Sequence, residues 1–132
     1  MRLRSVVFSN FRSFYGEQEI EFGINEDDYL TIVHAQNGSG KTNLLNAILW
    51  TFYEITTGKF NDPHKILNET ARLEGISTAF VEVRFEHVEN TYVARRSIRS
   101  GSQETIFKIY KVEYIKALYY TSSCCKFNGY CI

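Results

Sequence analysis

A glycine-rich loop that joins an apolar run to an apolar helical pattern constrains the fold of this chain more than any other feature. The run YLTIVH at residues 29–34 predicts a short strand buried on both faces. The loop AQNGSGKT at residues 35–42 follows it, and the apolar residues after the loop recur nearly all round a helix. We therefore predict a buried helix that ends near Gly58, because glycine readily adopts the left-handed conformation of a C-terminal cap.

The loop matches the phosphate-binding pattern G-x-x-x-x-G-K-[ST], except that Ala35 stands at the first glycine. Such a loop directs backbone N–H groups toward phosphate oxygens at the positive end of a helix dipole. Gly38 and Gly40 allow the backbone to approach these oxygens closely. Lys41 is expected to reach the β and γ phosphates of a nucleoside triphosphate, and the hydroxyl of Thr42 is expected to ligate Mg²⁺.

Asn43 lies in the first turn of the predicted helix, where its backbone N–H can face the α phosphate. Ala35 is small, but it carries a steric cost if the backbone has a positive φ at that position. The alternative interpretation of the loop is a glycine-rich turn that binds nothing. The apolar strand before the loop and the helix after it favour phosphate binding.

Alternation of apolar and polar residues predicts two strands before the loop. They cover residues 3–8 and residues 19–22, and the simplest arrangement is that they face each other. After the loop helix, a short helix is predicted to begin at Asp62-Pro63, an N-cap followed by proline at the first helical position. That helix is predicted to end before Gly75.

From residue 78 the alternation predicts an antiparallel β meander, with turns at residues 89–90 and 100–103. The predicted fold class is therefore α/β. It combines a mixed sheet around the phosphate loop and its buried helix with an antiparallel sheet beside it.

Charge is balanced over the chain but not along it. Fifteen bases and fifteen acids give a net charge of zero, so bulk charge provides no argument for binding nucleic acid or a membrane. Residues 17–28 carry six acids and no base, whereas residues 91–116 carry six bases against two acids, a local net charge of +4. We interpret both segments as solvated faces, and DNA binding by the basic segment is the alternative.

No segment approaches the run of about 18 apolar residues that a membrane-spanning helix needs, and the N terminus lacks the apolar core of a secretory signal. We therefore expect a cytoplasmic protein without a membrane partner. The three cysteines, Cys124, Cys125 and Cys131, lie within the last nine residues, which matches neither a disulfide framework nor a zinc site. We expect them to be reduced and incidental.

Three segments carry a resemblance to a known family: MRLRSVVFSNFRSF at the N terminus, AQNGSGKTNLLNAI at the loop and STAFVEVRFEHVENTYVARRSIR further along. Over residues 1–112 the chain resembles the N-terminal lobe of the SMC-like ABC ATPases, a class of P-loop NTPase. Within that class it looks like the SbcC/Rad-fifty double-strand-break repair ATPases and, second, the DndD-type proteins of DNA phosphorothioation systems. The N-F-R-S and N-G-S-G-K-T elements are the most specific parts of this resemblance.

The resemblance implies a site for ATP and Mg²⁺. In that family the arginine of the N-F-R-S element lies by the nucleotide phosphates, and the matching residue is Arg12. Position alone would instead suggest a surface arginine. The family's phosphate loop corresponds to Asn37, Gly38, Ser39, Gly40, Lys41 and Thr42. The family usually has glycine where this chain has Ala35.

The sequence lacks the acid that an ATP-hydrolysing head needs. A Walker B acid follows an apolar strand and orders Mg²⁺, but none of the three aspartates, Asp27, Asp28 and Asp62, has that context. The SGSQ sequence at residues 100–103 lies between predicted strands, whereas the ABC signature opens a helix, so we interpret it as a hairpin turn. In the resembling family the missing motifs lie in a C-terminal lobe, beyond a long coiled coil.

We therefore expect residues 1–112 to be the N-terminal lobe alone, present as a fragment, a truncated gene product or half of a split ATPase. Residues 113–132 are expected to be an unassigned tail, truncated or divergent from the family. Hydrolysis by this chain alone is not expected. The partners that the resemblance implies are a C-terminal ATPase lobe, a second head in a head-to-head dimer, a nuclease and DNA.

The leading hypothesis is an ATP-binding lobe that acts in DNA double-strand break repair or genome maintenance. One alternative is a DndD-like or other phage-defence AAA-type ATPase fragment, and another is a degenerate remnant without activity. A small P-loop kinase or GTPase is a further alternative, but its sheet would continue with alternating parallel strands and helices.

Overall fold

The structure is a computed structural model, and it describes residues 1–23, 30–57, 65–102 and 104–112. Those residues form five β-strands and two α-helices. In chain order they are β1 (Arg2–Ser9), β2 (Glu17–Glu21), α1 (Lys41–Tyr53), α2 (Glu69–Leu73), β3 (Thr78–His87), β4 (Asn90–Arg99) and β5 (Thr105–Val112). The predicted helix start at Asp62-Pro63 and the predicted tail at residues 113–132 lie outside the described residues.

The five strands form one sheet in the order β2-β1-β3-β4-β5, and every neighbouring pair is antiparallel. Buried and less buried side chains alternate along β3: Val81, Val83 and Phe85 are buried, while Arg84 between them is exposed. One face of the sheet therefore carries the core, as expected for an antiparallel sheet with one solvated face. Among the described residues no helix is long and apolar enough to cross a membrane.

The prediction of a buried strand and a mixed sheet around the loop is wrong for residues 30–34. These residues belong to no strand and are exposed, with Leu30 at 68% and Ile32 at 78% of full exposure. A strand buried on both faces needs neighbouring strands and a layer on each side. In the part of the chain that the structure describes, the sheet runs through β1 to β5 and does not extend to this segment. Residues 30–34 are mostly apolar in sequence, but none of the described residues packs over them as a second layer.

Helix α1 packs on the buried face of the sheet. Its Leu44, Ala47 and Trp50 join a core cluster that includes Val81 and Val83 of β3. Burial of each such apolar side chain is worth roughly 1.5–3 kcal/mol for the large aliphatic and aromatic types. These contacts fix the helix, and with it the loop that precedes it, against the sheet.

The prediction that this helix is buried all round is wrong, and so is its predicted end near Gly58. Leu45 and Tyr53 are 63% and 69% exposed, because the described residues provide a packing layer on one side of α1 only. The helix ends at Tyr53, and Glu54 takes the left-handed cap conformation with φ of 60°. The N–H of Glu54 donates to the carbonyl of Trp50 at 2.9 Å. Gly58 itself lies outside the described residues.

A buried arginine of β4 explains why the helix ends where it does. Arg96 is 7% exposed, and its Nε donates to the carbonyl oxygen of Thr51 at 3.0 Å. Its Nη1 contacts Oε2 of Glu54 at 3.1 Å and Oγ1 of Thr105 at 2.6 Å. The cation therefore lies at the negative end of the α1 dipole, where it stabilises the last carbonyl groups. We call this group of contacts the Arg96 clamp.

Replacing Arg96 by methionine is expected to lower the free energy of unfolding by about 2–4 kcal/mol, because it leaves the Thr51 carbonyl and the Glu54 carboxylate without their charged donor. The matched control is Arg95→Met on the same strand. Arg95 is half-exposed and pairs with Glu82 at 3.5 Å, so its loss should cost about 1 kcal/mol or less. Urea denaturation measures both, and equal losses would show that the clamp contributes nothing specific.

Candidate functional site

The glycine-rich loop runs directly into the N terminus of α1. Gly38 and Gly40 have backbone φ values of +85° and +101°, which residues other than glycine rarely adopt. Gly40 is the N-cap residue of α1, and no side chain caps the helix there. The first N–H groups of a helix have no acceptor within the helix, so they are available to an anion at this end. Two left-handed glycines therefore lie at the start of a helix that no side chain caps.

Two side chains of the loop fold back onto its backbone. The ammonium of Lys41 donates to the carbonyl oxygens of Ala35 and Gln36, the latter at 2.7 Å. The hydroxyl of Ser39 donates to the Gln36 carbonyl at 2.7 Å. The cation is thus held over the loop, next to the exposed residues 36–39. Ala35 does not have a positive φ, so the missing first glycine carries no left-handed strain.

The short element Asn10 to Ser13, which follows β1, contains unusual backbone conformations. Asn10 and Arg12 have φ values of 50° and 51°. Asparagine adopts such a left-handed conformation readily, whereas it costs a residue such as arginine about 1–2 kcal/mol. Such conformations persist where the surroundings hold them, and they cluster at functional sites. The N–H of Arg12 donates to the Ile66 carbonyl at 2.7 Å, and Phe11 forms a β-bridge with Leu67.

The suggestion from position alone that Arg12 is a surface residue is wrong, because it is only 8% exposed. One Nη of its guanidinium lies 3.4 Å from Oγ1 of Thr56. Burial lowers the pKa of the guanidinium below its ordinary value. Arginine nevertheless keeps its proton in proteins, so Arg12 brings a positive charge into the interior beside α1.

Sequence reasoning did not single out Ser13, which connects this element to the loop helix. Its Oγ accepts a hydrogen bond from the side-chain amide of Asn43 at 2.8 Å. Ser13 and Phe14 also pack against Gly40, since a Cβ at that position would lie 3.0 Å from Ser13 Oγ and 3.3 Å from Phe14 Cζ. The signal available in the sequence was its place in the N-F-R-S element, directly after Arg12.

A pocket of about 640 Å³ opens beside the N-terminal turn of α1. Of the predicted site residues, Arg12 and Asn43 line this pocket, whereas residues 37–42 do not. Lys65, Arg72 and Arg99 also line it, so four cations face one pocket that has a single acid, Glu69, in its wall. This arrangement suits an anionic ligand or part of one.

The predicted magnesium ligand Thr42 lies exposed in the first turn of α1, next to Lys41. Within residues 1–23, 30–57, 65–102 and 104–112, no group of three or more His, Cys, Asp or Glu side chains could hold a metal ion. A hydroxyl and the oxygens of a phosphate are oxygen donors of the kind that Mg²⁺ prefers. The donor set fits a magnesium ion that arrives with a nucleotide.

The SGSQ sequence does not open a helix. Ser100 and Gly101 form the turn between β4 and β5, with Gly101 at φ +79°. The N–H of Ser102 donates to the Arg99 carbonyl at 3.0 Å, and Gln103 lies outside the described residues. This part of the chain is a hairpin connection, as expected from its place between strands.

Comparison with protein families finds a match to the model of the AAA domain over residues 5–126. Among curated proteins, the DNA double-strand break repair Rad50 ATPase of Halobacterium salinarum is 30% identical over 104 residues, 76% of this chain and 10% of that protein. The structural maintenance of chromosomes protein 3 of Arabidopsis thaliana is 31% identical over 101 residues, 75% of this chain and 8% of that protein.

The DNA replication and repair protein RecF of Chlorobium phaeovibrioides is 42% identical over 48 residues, 36% of this chain and 12% of that protein. The chain therefore spans only about a tenth of the length of the relatives it matches.

Proposed function

The chain belongs to the AAA domain family, as an N-terminal lobe of the SMC-like ATPase type, and on that basis we propose that it binds Mg²⁺-ATP through the loop at residues 35–42. The observation that carries the proposal is the loop conformation at the helix start. Two left-handed glycines precede the uncapped N terminus of α1, and the ammonium of Lys41 lies over the loop. An anion with several oxygens, such as a triphosphate, satisfies both the N–H groups and the cation.

In this proposal each predicted residue has one task. The backbone of residues 37–40 surrounds the β phosphate, Lys41 neutralises the β and γ oxygens, and Thr42 provides a hydroxyl to Mg²⁺. The buried charge of Arg12 stabilises the phosphates from the side of β1, and Asn43 places its backbone N–H toward the α phosphate. Bound Mg²⁺ would supply charge neutralisation at the γ phosphate.

We propose further that a second lobe completes the site for hydrolysis. Several apolar side chains before the loop, on α1 and just after α1 are exposed, namely those of Leu30, Ile32, Val33, Leu45 and Ile55. Exposed apolar side chains in such number are typical of a surface that a partner covers. The chain spans about a tenth of the length of its relatives. Proteins of that length have room for a further lobe that carries the Walker B acid.

The pathway belongs to the proposal as well. The relatives carry names of DNA double-strand break repair, replication and chromosome maintenance, which supports a role in DNA repair or genome maintenance. The associated partners in this role are a second head in a head-to-head dimer, a nuclease and DNA. A DndD-like or other phage-defence ATPase is the second candidate, and the match to the AAA domain is compatible with it.

The structure gives a physical reason to rank the DNA-binding-module alternative lower. Two of the arginines in residues 91–116 make contacts within the chain that limit their access to DNA. Arg95 lies 3.6 Å above the ring of Phe80 and pairs with Glu82, and Arg96 is buried in the clamp. A kinase or GTPase is ranked lower because the described sheet is antiparallel throughout.

The proposal is tested by following the unfolding temperature of the purified chain in a titration with ATP and Mg²⁺. Binding at 100 times the dissociation constant stabilises a protein by about 2.7 kcal/mol, so a clear rise is expected. AMP lacks the β and γ phosphates and should raise the temperature much less. An equal effect of AMP and ATP would show that the loop does not hold the phosphates.

The same preparation should release no phosphate from ATP above the buffer rate, because the Walker B acid and the signature lie in another lobe. The measurement is inorganic phosphate release at saturating Mg²⁺-ATP. Appreciable turnover that survives further purification would overturn the assignment of this chain as a lobe that needs a partner.

A further inference from the structure

Asn68, the residue before α2, joins that helix to the backbone of Arg12. Its Oδ1 accepts a hydrogen bond from the N–H of Ala71 at 3.1 Å, which makes it the N-cap of α2. Its Nδ2 donates to the carbonyl oxygen of Arg12 at 2.5 Å. Asn68 is 8% exposed, so both bonds are shielded from water. An amide side chain can accept and donate at once, whereas an ionised carboxylate can only accept.

The backbone of Arg12 is held on both sides by the same short segment. Its N–H donates to the carbonyl of Ile66 at 2.7 Å, and its carbonyl receives the Asn68 amide. In addition, the backbone N–H of Asn68 donates to the carbonyl of Asn10 at 2.8 Å. These three bonds fix Asn10 and Arg12, the two left-handed residues of the element that follows β1. Asn10 is held by two further bonds to Gly16, and asparagine tolerates a left-handed backbone, so the bonds from this segment matter most at Arg12.

The backbone conformation of Arg12 decides where its side chain points, because φ sets the direction of the Cα–Cβ bond. In the observed conformation Arg12 lines the cationic pocket together with Asn43 of α1. Asn68 does not line that pocket, although its neighbours Leu67 and Glu69 do. Any effect of Asn68 on a ligand in the site must therefore pass through the residues it holds.

We propose that Asn68 is a positioning residue for nucleotide binding, which holds Arg12 in the left-handed conformation in which its side chain lines the pocket beside the first turn of α1. The inference rests on the proposed function, since it assumes that Mg²⁺-ATP is the ligand. It assigns to the start of α2 a task that the phosphate loop alone does not reveal.

The test uses Asn68→Asp and Asn68→Ser in the full chain, each alone and combined with Arg12→Ala. Aspartate and serine are both good N-caps, so α2 keeps its first hydrogen bond in either variant. Aspartate replaces the donor to the Arg12 carbonyl by a second acceptor, and the hydroxyl of serine is too short to replace the amide. The readout is the dissociation constant for Mg²⁺-ATP, measured by calorimetric titration.

We expect Asn68→Asp to weaken binding about five- to tenfold and Asn68→Ser to weaken it about threefold to fivefold, since charge-assisted contacts to phosphate are lost in part. Arg12→Ala should weaken it about tenfold or more. In the Arg12→Ala background neither Asn68 variant should change the affinity further, because the residue through which Asn68 acts is gone.

A merely structural role of Asn68 predicts a different result: the variants would weaken binding by the same factor with and without Arg12, and that result overturns the inference. Unchanged affinity in Arg12→Ala also overturns it. Lys41→Ala separates this failure from failure of the proposed function. If Lys41→Ala abolishes binding while the Asn68 variants bind normally, only the positioning role is wrong; if Lys41→Ala binds normally, the proposed function is wrong.

Discussion

Replacing Lys41 by alanine is expected to weaken the binding of Mg²⁺-ATP at least about 100-fold. In the structure the ammonium lies over the loop, bonded to the carbonyl oxygens of Ala35 and Gln36. A phosphate bound at the start of α1 would replace these weak neutral acceptors by charged oxygens. Hydrogen bonds to charged groups contribute about 1.5–3 kcal/mol each, so the loss of two costs about 3 kcal/mol or more. Every 1.4 kcal/mol is a factor of ten in affinity.

The matched control for this variant is Lys111→Ala. Lys111 is exposed on β5, the strand at the end of the sheet farthest from β2. Its removal changes the net charge by the same amount and should leave the affinity within about twofold. Titration calorimetry measures both variants, and the unfolding temperature without nucleotide confirms that each is folded. A Lys41→Ala variant that binds ATP as tightly as Lys111→Ala would show that the loop cation has no part in binding.

Replacing Gly40 by alanine is expected to have the second largest effect, a loss of about 2–3 kcal/mol of folding stability together with loss of nucleotide binding. Gly40 has φ of +101°, and residues held in such sparsely populated regions cost of order 1–3 kcal/mol. The added Cβ would also lie 3.0 Å from Ser13 Oγ, closer than ordinary contacts. The Ser13 and Phe14 side chains or the loop must therefore shift by a few tenths of an ångström, and a shift of the loop displaces the N–H groups that would face the phosphate.

Gly75→Ala is the control for the cost of the left-handed backbone. Gly75 follows α2 with φ of +82°, a Cβ there would have no neighbour within 4 Å, and the residue does not line the pocket. This variant should lose stability by about 1–2 kcal/mol for conformational reasons, yet bind Mg²⁺-ATP normally once folded. Urea denaturation and calorimetric titration measure the two quantities separately. If Gly40→Ala and Gly75→Ala differ neither in stability nor in affinity, the close contact between Gly40 and Ser13 is unimportant.

Local sequence patterns were sufficient for the strands that have one buried face. The alternation of Val81, Val83 and Phe85 with polar residues is a property of the chain itself, and β3 extends over it. The turn conformation of the loop could also be predicted from sequence, because Gly38 and Gly40 adopt positive φ values that glycine tolerates and other residues rarely do. Such features need only local information.

The failures of prediction concern contacts between distant parts of the chain. The apolar residues 30–34 are exposed because the layer that would cover them is not among the described residues, and no local pattern reports that. The helix ends at Tyr53 rather than near Gly58 because an arginine more than forty positions away, Arg96, binds the Thr51 carbonyl. Pairing across such a distance depends on the fold.

The same reason explains the parts of the candidate site that the sequence did not reveal. Arg12 could be recognised through its family resemblance, but its burial and left-handed backbone depend on Ile66 and Asn68, more than fifty positions away. Ser13 is similar, since its partner Asn43 lies thirty positions further along the chain. A serine or an asparagine in a short polar segment has no pattern that would distinguish it from a surface residue.

Binding of Mg²⁺-ATP by residues 35–42 can be measured directly by calorimetric titration of ATP into the purified wild-type chain, with Mg²⁺ and with EDTA. We expect saturable binding with one ATP per chain and clearly weaker binding in EDTA, because Thr42 and the phosphates then lack their shared ion. A folded chain that shows no binding at millimolar ATP in the presence of Mg²⁺ would contradict this expectation.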